Sequence, residues 1–460
     1  MVYIPNSPED IKAMLEWIGV SKTDDLFDPI PENLRLKKPL NLPSALSEPE
    51  LVRFLEELAG QNNTCKTNFI GGGIYNHFTP SVVWSLAMRP EFVTAYTPYQ
   101  AEVAQGTLQI IYEFQTHICR LTGLDVANAS LYDGATAVTE AALLAINHTR
   151  RNKIVISETV NPLYRDVLKT SIQGVDLQII TVPRANGSTD YGKLNGLLDD
   201  QCACLILGQP NFFGYLEDIE QGERAIHDAG GLFINVFDPI SLGILKTPAE
   251  YNADIAVGEG QSLGIPQNFG GPLLGLFACR KKFVRKIPGR LAARTTDVDG
   301  KPGFVLTLQT REQHIRRDKA TSNICTNEAL CATAATFYMS LMGKHGIPRL
   351  AQISTERAHY LADKISQLEG YRVWDERPFF KEFVVETNTA AVQILEFAKA
   401  KGFGAGIDLG RFYSEMNNHL LLAVTEMNSF DDCDALVEVL SQINSKENSA
   451  QTAVSDGFRK

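Results

Sequence analysis

The stretch SLYDGATAVTEAALLA, from Ser130 to Ala145, sets Gly134-Ala135-Thr136 immediately before a helical run. Free backbone N–H groups at a helix start, with a hydroxyl beside them, suit a phosphate or a carboxylate, although an ordinary helix cap reads the same. Further on, Asp238 closes the apolar run GLFINVFDP. A carboxylate at the C-terminal edge of a buried strand stands where open α/β sheets bind ligands; a turn-forming Asp before Pro239 is the plain alternative. In pyridoxal phosphate enzymes an Asp in that place pairs with the pyridinium nitrogen, and a lysine after another strand and turn forms the Schiff base. Here that position reads Gly260-Gln261-Ser262, and no lysine occurs between Lys246 and Lys281. Gln261 cannot replace it, because an amide nitrogen is not nucleophilic.

Three further groups carry polar side chains in suggestive order. Tyr96-Thr97-Pro98-Tyr99-Gln100 offers two phenols and an amide near a helix start, suited to a carboxylate or a cofactor, with buried, satisfied tyrosines as the alternative. FIGGGIYNHFTP, from Phe69 to Pro80, joins glycines that permit close backbone approach to Tyr75 and His77; for His77 alone a plain loop is the better reading. Arg316, Arg317 and Lys319 precede Ala320-Thr321-Ser322-Asn323, which is expected to open the first helix of a C-terminal domain. An arginine fork bonds both oxygens of a carboxylate, but internal pairing with Glu312 and Asp318 is equally open for these cations, and His314 fits either use.

These groups need a scaffold, and the sequence supplies one. Residues 1–80 read as a helical arm and a glycine-rich segment, with helices opened by Ser7-Pro8-Glu9-Asp10 and Ser47-Glu48-Pro49-Glu50. Leu51, Phe54, Leu55 and Leu58 share one face of the second helix, and arms of this composition usually wrap a neighbouring surface. Residues 81–325 alternate helices with short apolar runs (KIVIS, LQIITVP, CACLILGQP, GLFINVF, LLGLFACR), as in a mostly parallel sheet covered on both faces. Residues 326–445 begin with two helices that part near Gly343 and continue as a small α+β domain. Residues 446–460 are poor in apolar side chains and are expected to be disordered.

Composition narrows the function. The chain has 460 residues, 44% hydrophobic and 21% charged, with a formal net charge of −11. That usage fits a folded protein, and its charge does not attract nucleic acid. Eight cysteines are sparse and none shows Cys-x-x-Cys spacing, so neither a metal site nor a disulfide framework is expected. Cys202 and Cys204 are expected to share one face of an apolar run. No run approaches the length of a membrane span and MVYIPNSPEDIK does not read as a leader, so a cytoplasmic location is expected.

TREQHIRRDKATSNICT, Thr310 to Thr326, is a long and specific motif. Together with Pro98 to Ala137, Gly258 to Pro272 and the IPGR at Ile287 to Arg290, it resembles the P-protein family of the glycine cleavage system, glycine decarboxylase, in its N-terminal half. The resemblance covers nearly the whole chain. In that family one chain carries two homologous halves, or two subunits carry one half each. The lysine belongs to the second half, in a His-Lys-Thr context that this sequence lacks, so the chain resembles subunit 1 of the split form.

The resemblance implies a fold type I, aspartate aminotransferase-like architecture with the active site at a subunit interface. Pyridoxal phosphate would be held covalently by subunit 2, with Tyr96, Thr97, Tyr99, Gln100 and His77 as candidate walls of its pocket. Arg316, Arg317, Thr321, Ser322 and Asn323 extend that set, since the corresponding stretch in this fold often supplies a substrate arginine and groups that reach a neighbouring phosphate. Gly134, Ala135, Thr136 and Asp238 would be a vestigial cofactor site. The implied reaction removes carbon dioxide from glycine and passes the aminomethyl group to the lipoyl arm of H-protein, whose disulfide is reduced. The implied assembly is a 2:2 heterotetramer, with this chain inactive alone. A scaffold subunit that never touches substrate is the rival reading. A self-sufficient enzyme using Lys246 or Lys319 is a third, although neither lysine stands where this fold places the imine.

Overall fold

The short apolar runs form strands because they are buried along most of their length, where backbone polar groups must be paired. In the computed structural model, which describes residues 5–62, 64–93, 96–267 and 271–457, with side chains as far as Ile443, they build a seven-stranded sheet. Its order is Val126–Ala127, Gly275–Cys279, Ile255–Glu259, Leu232–Phe237, Cys202–Gln209, Lys153–Ser157, Gln178–Val182. The last five are mutually parallel, whereas Gly275–Cys279 runs antiparallel to both its neighbours. Helices Gly134–Thr149 and Pro162–Ser171 cover one face through Ala137, Ala141, Leu144 and Leu168. Tyr191–Leu197 and Ile219–Asp228 cover the other through Leu194, Ile219 and Ile226.

Cys202 and Cys204 do not share a face. The register of Cys202–Gln209 against Lys153–Ser157 slips between Lys153 and Ile154, and a one-residue slip reverses the side-chain alternation. Cys202 therefore packs with Leu205 and Leu207, and Cys204 with Ile154 and Ile206 on the opposite side.

A second, antiparallel sheet runs Tyr371–Val373, Glu382–Thr387, His419–Ala423, Ile407–Asp408. Helices Ala391–Ala400 and Phe430–Gly457 pack on it through Ile394, Ala398, Leu436 and Leu440. The helical stretch Ala329–Ser366 breaks at Gly343, whose φ of 57° and ψ of −163° are not helical. Its first part joins the core of the large sheet through Ala335 and Tyr338, its second the core of the small sheet through Leu361 and Ile365.

Several boundaries differ from the sequence reading. The chain divides into Met1–Asn63 and Thr64–Lys460. Residues 64–80 thus leave the expected arm, because Thr67–Asn68 pairs in parallel with Phe403–Gly404. Residues 320–323 do not open a helix, which starts at Ala329; the Ser322 hydroxyl instead accepts from the Ile324 N–H at 3.1 Å, the local competition that keeps such residues out of helices. The antiparallel pair Leu291–Thr296 and Pro302–Thr307 was not foreseen. Most of the stretch expected to be disordered continues the helix Phe430–Gly457, since no proline interrupts it; residues 458–460 lie outside the described residues.

Within Met1–Asn63, helices Pro8–Ile18 and Glu48–Gly60 each begin at a reciprocal cap. Ser7 and Asp10 form the first and Ser47 and Glu50 the second. Among the described residues no helix is long and apolar enough to cross a membrane.

Candidate functional site

The strand Leu232–Phe237 delivers Asp238 to the C-terminal edge of the large sheet, as expected. The carboxylate is not free there. Its Oδ2 lies 2.7 Å from Nζ of Lys381, whose side chain is only 1% exposed. Lys381 stands just before the small-sheet strand Glu382–Thr387. Its ammonium also donates to His77 Nε2 at 3.1 Å and lies 3.4 Å from the centroid of the Tyr75 ring. An ammonium only donates and a carboxylate only accepts, so the 2.7 Å contact between His77 Nδ1 and Glu426 Oε2 assigns the proton to Nδ1. Burial and the Lys381 charge both push the His77 pKa down, consistent with that neutral ring. Burial alone would raise Asp238, but the charge and hydrogen bond of Lys381 outweigh it and hold the carboxyl below its ordinary range.

The helix start at Gly134 is also committed. Its N–H donates to Glu259 Oε2 at 2.9 Å, while Glu259 Oε1 accepts from the N–H groups of Gln261 and Leu274, both at 2.9 Å. Thr136 N–H goes to the capping Asp133 Oδ1 at 2.6 Å, and Ala135 is buried in the same turn. Burial pushes the Glu259 carboxyl up to about 8 despite its three N–H donors.

Gln261 braces two segments. Its Oε1 accepts from Tyr75 N–H at 2.9 Å, and its Nε2 donates to the carbonyls of Tyr75 at 3.1 Å and Ile265 at 2.7 Å. Beside it, Glu382 accepts from Gly72 N–H and Tyr75 O–H, both at 2.7 Å, and burial raises its carboxyl to about 7. A side chain at position 71 is impossible in this packing, since a Cβ on Gly71 would stand 2.3 Å from Glu382 Oε1. The space left between Tyr75, Tyr164, Asp238, Glu259 and Glu382 is about 70 Å³, well under the roughly 300 Å³ at which small-molecule pockets begin. These residues do not fit pyridoxal phosphate, because the groups that would meet its ring nitrogen, phosphate and aldehyde are each bonded within the chain.

The candidate wall residues fall into separate places. His77 belongs to the internal cluster around Lys381. Tyr96 is 82% exposed, Thr97 half-buried and Gln100 exposed; residues 94–95 before them lie outside the described residues. Tyr99 is half exposed, its hydroxyl accepting from Arg290 Nη2 at 3.0 Å. A cleft of about 550 Å³ runs between the helix Gly134–Thr149 and the segment 313–324, and brings Thr136, Glu140, Arg317, Thr321, Ser322 and Asn323 together. Burial raises the Glu140 carboxyl there to about 7. Arg316 is exposed on the neighbouring turn, and residues 268–270 of the glycine-rich loop lie outside the described residues.

Sequence reasoning missed Lys381, Glu259, Glu382 and Glu426. The available signal was Lys381-Glu382 at the head of the apolar strand EFVVET, two adjacent charges where a strand enters a core. They read as an ordinary polar edge until Asp238 and Gly72 were brought against them.

Residues 1–440 match the family described as Glycine cleavage system P-protein. The probable glycine dehydrogenase (decarboxylating) subunit 1 of Moorella thermoacetica is 51% identical over 443 residues, 96% of this chain and all of that protein. Its counterpart in Carboxydothermus hydrogenoformans is 50% identical over 442 residues, 96% of this chain and 99% of that one. The crystal structure of an inhibitor-bound glycine decarboxylase (P-protein) of the glycine cleavage system superposes with a TM-score of 0.88 at 42% identity, covering 96% of this chain and all of that one. Glutamate decarboxylase of Lactobacillus brevis, at 12% identity and a TM-score of 0.67 over 91% of this chain and 96% of its own, shares the fold alone. The architecture is fold type I, with a mostly parallel central sheet and a smaller antiparallel one. The chain belongs to the P-protein family of the glycine cleavage system.

Proposed function

We propose that this chain is subunit 1 of a two-subunit glycine decarboxylase. With subunit 2 it releases carbon dioxide from glycine and passes the aminomethyl group to the lipoyl arm of H-protein in the cytoplasm, pyridoxal phosphate being held by subunit 2. The observation that supports the assignment is Gln261, an amide at the position where the Schiff-base lysine is expected, with both ends bonded to backbone. With an amide at that position, the chain would take the imine lysine from subunit 2.

Its contribution to the joint site would come from its exposed polar groups. The phenol of Tyr96 and the guanidinium of Arg316 are accessible for a neighbouring subunit's pocket, and the fork of an arginine suits the glycine carboxylate. Thr321, Ser322 and Asn323 offer hydroxyl and amide donors in the cleft that also holds Arg317.

Co-expression with subunit 2, gel filtration and a carbon dioxide release assay with lipoylated H-protein test the reading. The expected result is an assembly of two copies of each subunit that is active only when both are present. Substantial release by the isolated chain would overturn it. Alanine at Tyr96 or Arg316 is expected to raise KM for glycine or lower kcat in the complex; unchanged values for both would favour a scaffold subunit.

A further inference from the structure

The loss of one lysine would leave an open cleft, with Asp238 facing solvent and the Gly134 N–H unpaired. The structure has neither. We infer that this chain excludes pyridoxal phosphate by occupancy: the Lys381 ammonium takes the place of the pyridinium at Asp238, and the Glu259 carboxyl takes the place of the phosphate at the Gly134 N–H.

Each half of the plug is a built contact. Lys381 Nζ is 2.7 Å from Asp238 Oδ2 and is held from two further sides by His77 and the Tyr75 ring. A cofactor ring nitrogen can reach Asp238 only by expelling that ammonium from its one carboxylate partner among the described residues, and an uncompensated buried charge is strongly unfavourable. At the other end a phosphate dianion approaching Gly134 would meet Glu259 Oε2 at the N–H it needs. The position a Cβ would take on Gly134 is 2.5 Å from the Tyr164 hydroxyl and 3.2 Å from Glu259 Cβ, so the cradle is filled by atoms and its N–H is already bonded.

The plug is assembled from distant parts of the chain. Asp238 and Glu259 come from the edge of the large sheet, Lys381 from the head of a small-sheet strand, and Tyr75 and His77 from the glycine-rich segment. The same contacts that fill the cleft tie these three parts together. In a cofactor enzyme of this fold the bound group would supply that bridge; here an internal ion pair does so. The inference concerns cofactor binding and not turnover, so it stands or falls independently of the decarboxylase reading.

Equilibrium dialysis of the full-length chain against pyridoxal phosphate, and separately against inorganic phosphate, is the test. The wild-type chain and the Gln261→Lys variant are expected to bind neither, and borohydride reduction of that variant is expected to leave position 261 unlabelled. The double variant Glu259→Ser with Lys381→Ala removes both halves of the plug and is expected to bind pyridoxal phosphate at least about a hundredfold more tightly than wild type, with a cofactor absorbance band. Stoichiometric micromolar binding by the wild-type chain would overturn the inference, as would reductive labelling of position 261 in the single variant. So would a double variant with wild-type circular dichroism and elution volume but no gain in binding. The wild-type and Gln261→Lys measurements decide the matter even if the double variant fails to fold.

Discussion

Lys381 illustrates how a buried charge becomes indispensable once its partners are in place. Its ammonium serves Asp238, His77 and the face of Tyr75 at once, so Lys381→Met is expected to leave a buried carboxylate without its counter-charge and to cost about 3–5 kcal/mol of stability. Urea denaturation read by tryptophan fluorescence measures it, and a loss under about 1 kcal/mol would show that Asp238 finds another partner or a proton. Gln261→Lys is expected to cost at least about 1–3 kcal/mol, because it strips a buried brace and sets an amine in a site only 2% exposed, where it must find a counter-charge or lose its proton; an unchanged urea midpoint would contradict that placement. The same two residues mark the limit of reading the sequence. Gln261 stood out because the strand before it and the turn after it mark by spacing where a lysine is expected in this fold. Lys381 was not, since its partner Asp238 lies in another domain and nothing in the local pattern KEFVVET distinguishes a pocket lysine from a strand edge.

Elements were legible in proportion to how much of their stability is local or periodic. KIVIS and CACLILGQ became strands because unbroken apolar runs have no polar face to expose, and the helices at Ser7 and Ser47 announced their own caps. The hairpin Leu291–Thr296 with Pro302–Thr307 escaped notice because its pattern is mixed: Ala292 and Leu306 reach a core with Leu108 and Ile111, while Arg294 to Thr296 stay exposed. Residues 320–323 read as a helix start, but the Ser322 hydroxyl takes up the Ile324 N–H and the helix begins only at Ala329. Among the wall candidates, spacing grouped residues by chemistry, but the fold separated His77 from Tyr96 and Arg316. At this scale the arm makes a prediction of its own. Trp17 and the Leu51, Phe54, Leu55 and Leu58 face are exposed, an arrangement suited to covering a partner. Deleting residues 1–62 is expected to lower recovery of the chain in a complex with subunit 2 on gel filtration. Undiminished assembly would remove the arm from the interface.

For the whole molecule, the buried carboxyls set how stability responds to pH. Burial raises Glu140 to about 7, Glu259 to about 8 and Glu382 to about 7, from an ordinary value of 4.5. Between those limits the folded protein holds protons that the unfolded chain has released, so folding is favoured at the lower pH and the contribution is lost as pH rises through 7 to 8. Asp238 acts in the opposite sense. Its carboxyl is held below the usual 3.8, so its contribution is present at neutral pH and disappears only as the solution becomes strongly acidic. Taken by themselves, the three raised carboxyls lower the melting temperature as pH rises from about 5 to 8, against His77, whose depressed pKa makes folding less favourable in acid. Glu382→Gln removes one of the three protons concerned while leaving an amide oxygen to accept from Gly72 or Tyr75, and is expected to flatten that fall. A pH response between 5 and 8 that Glu382→Gln leaves unchanged would mean that the backbone donors and Lys381 keep this carboxyl ionised despite burial. In that case the cleft would hold a larger negative charge, and its resistance to a phosphate would be stronger still.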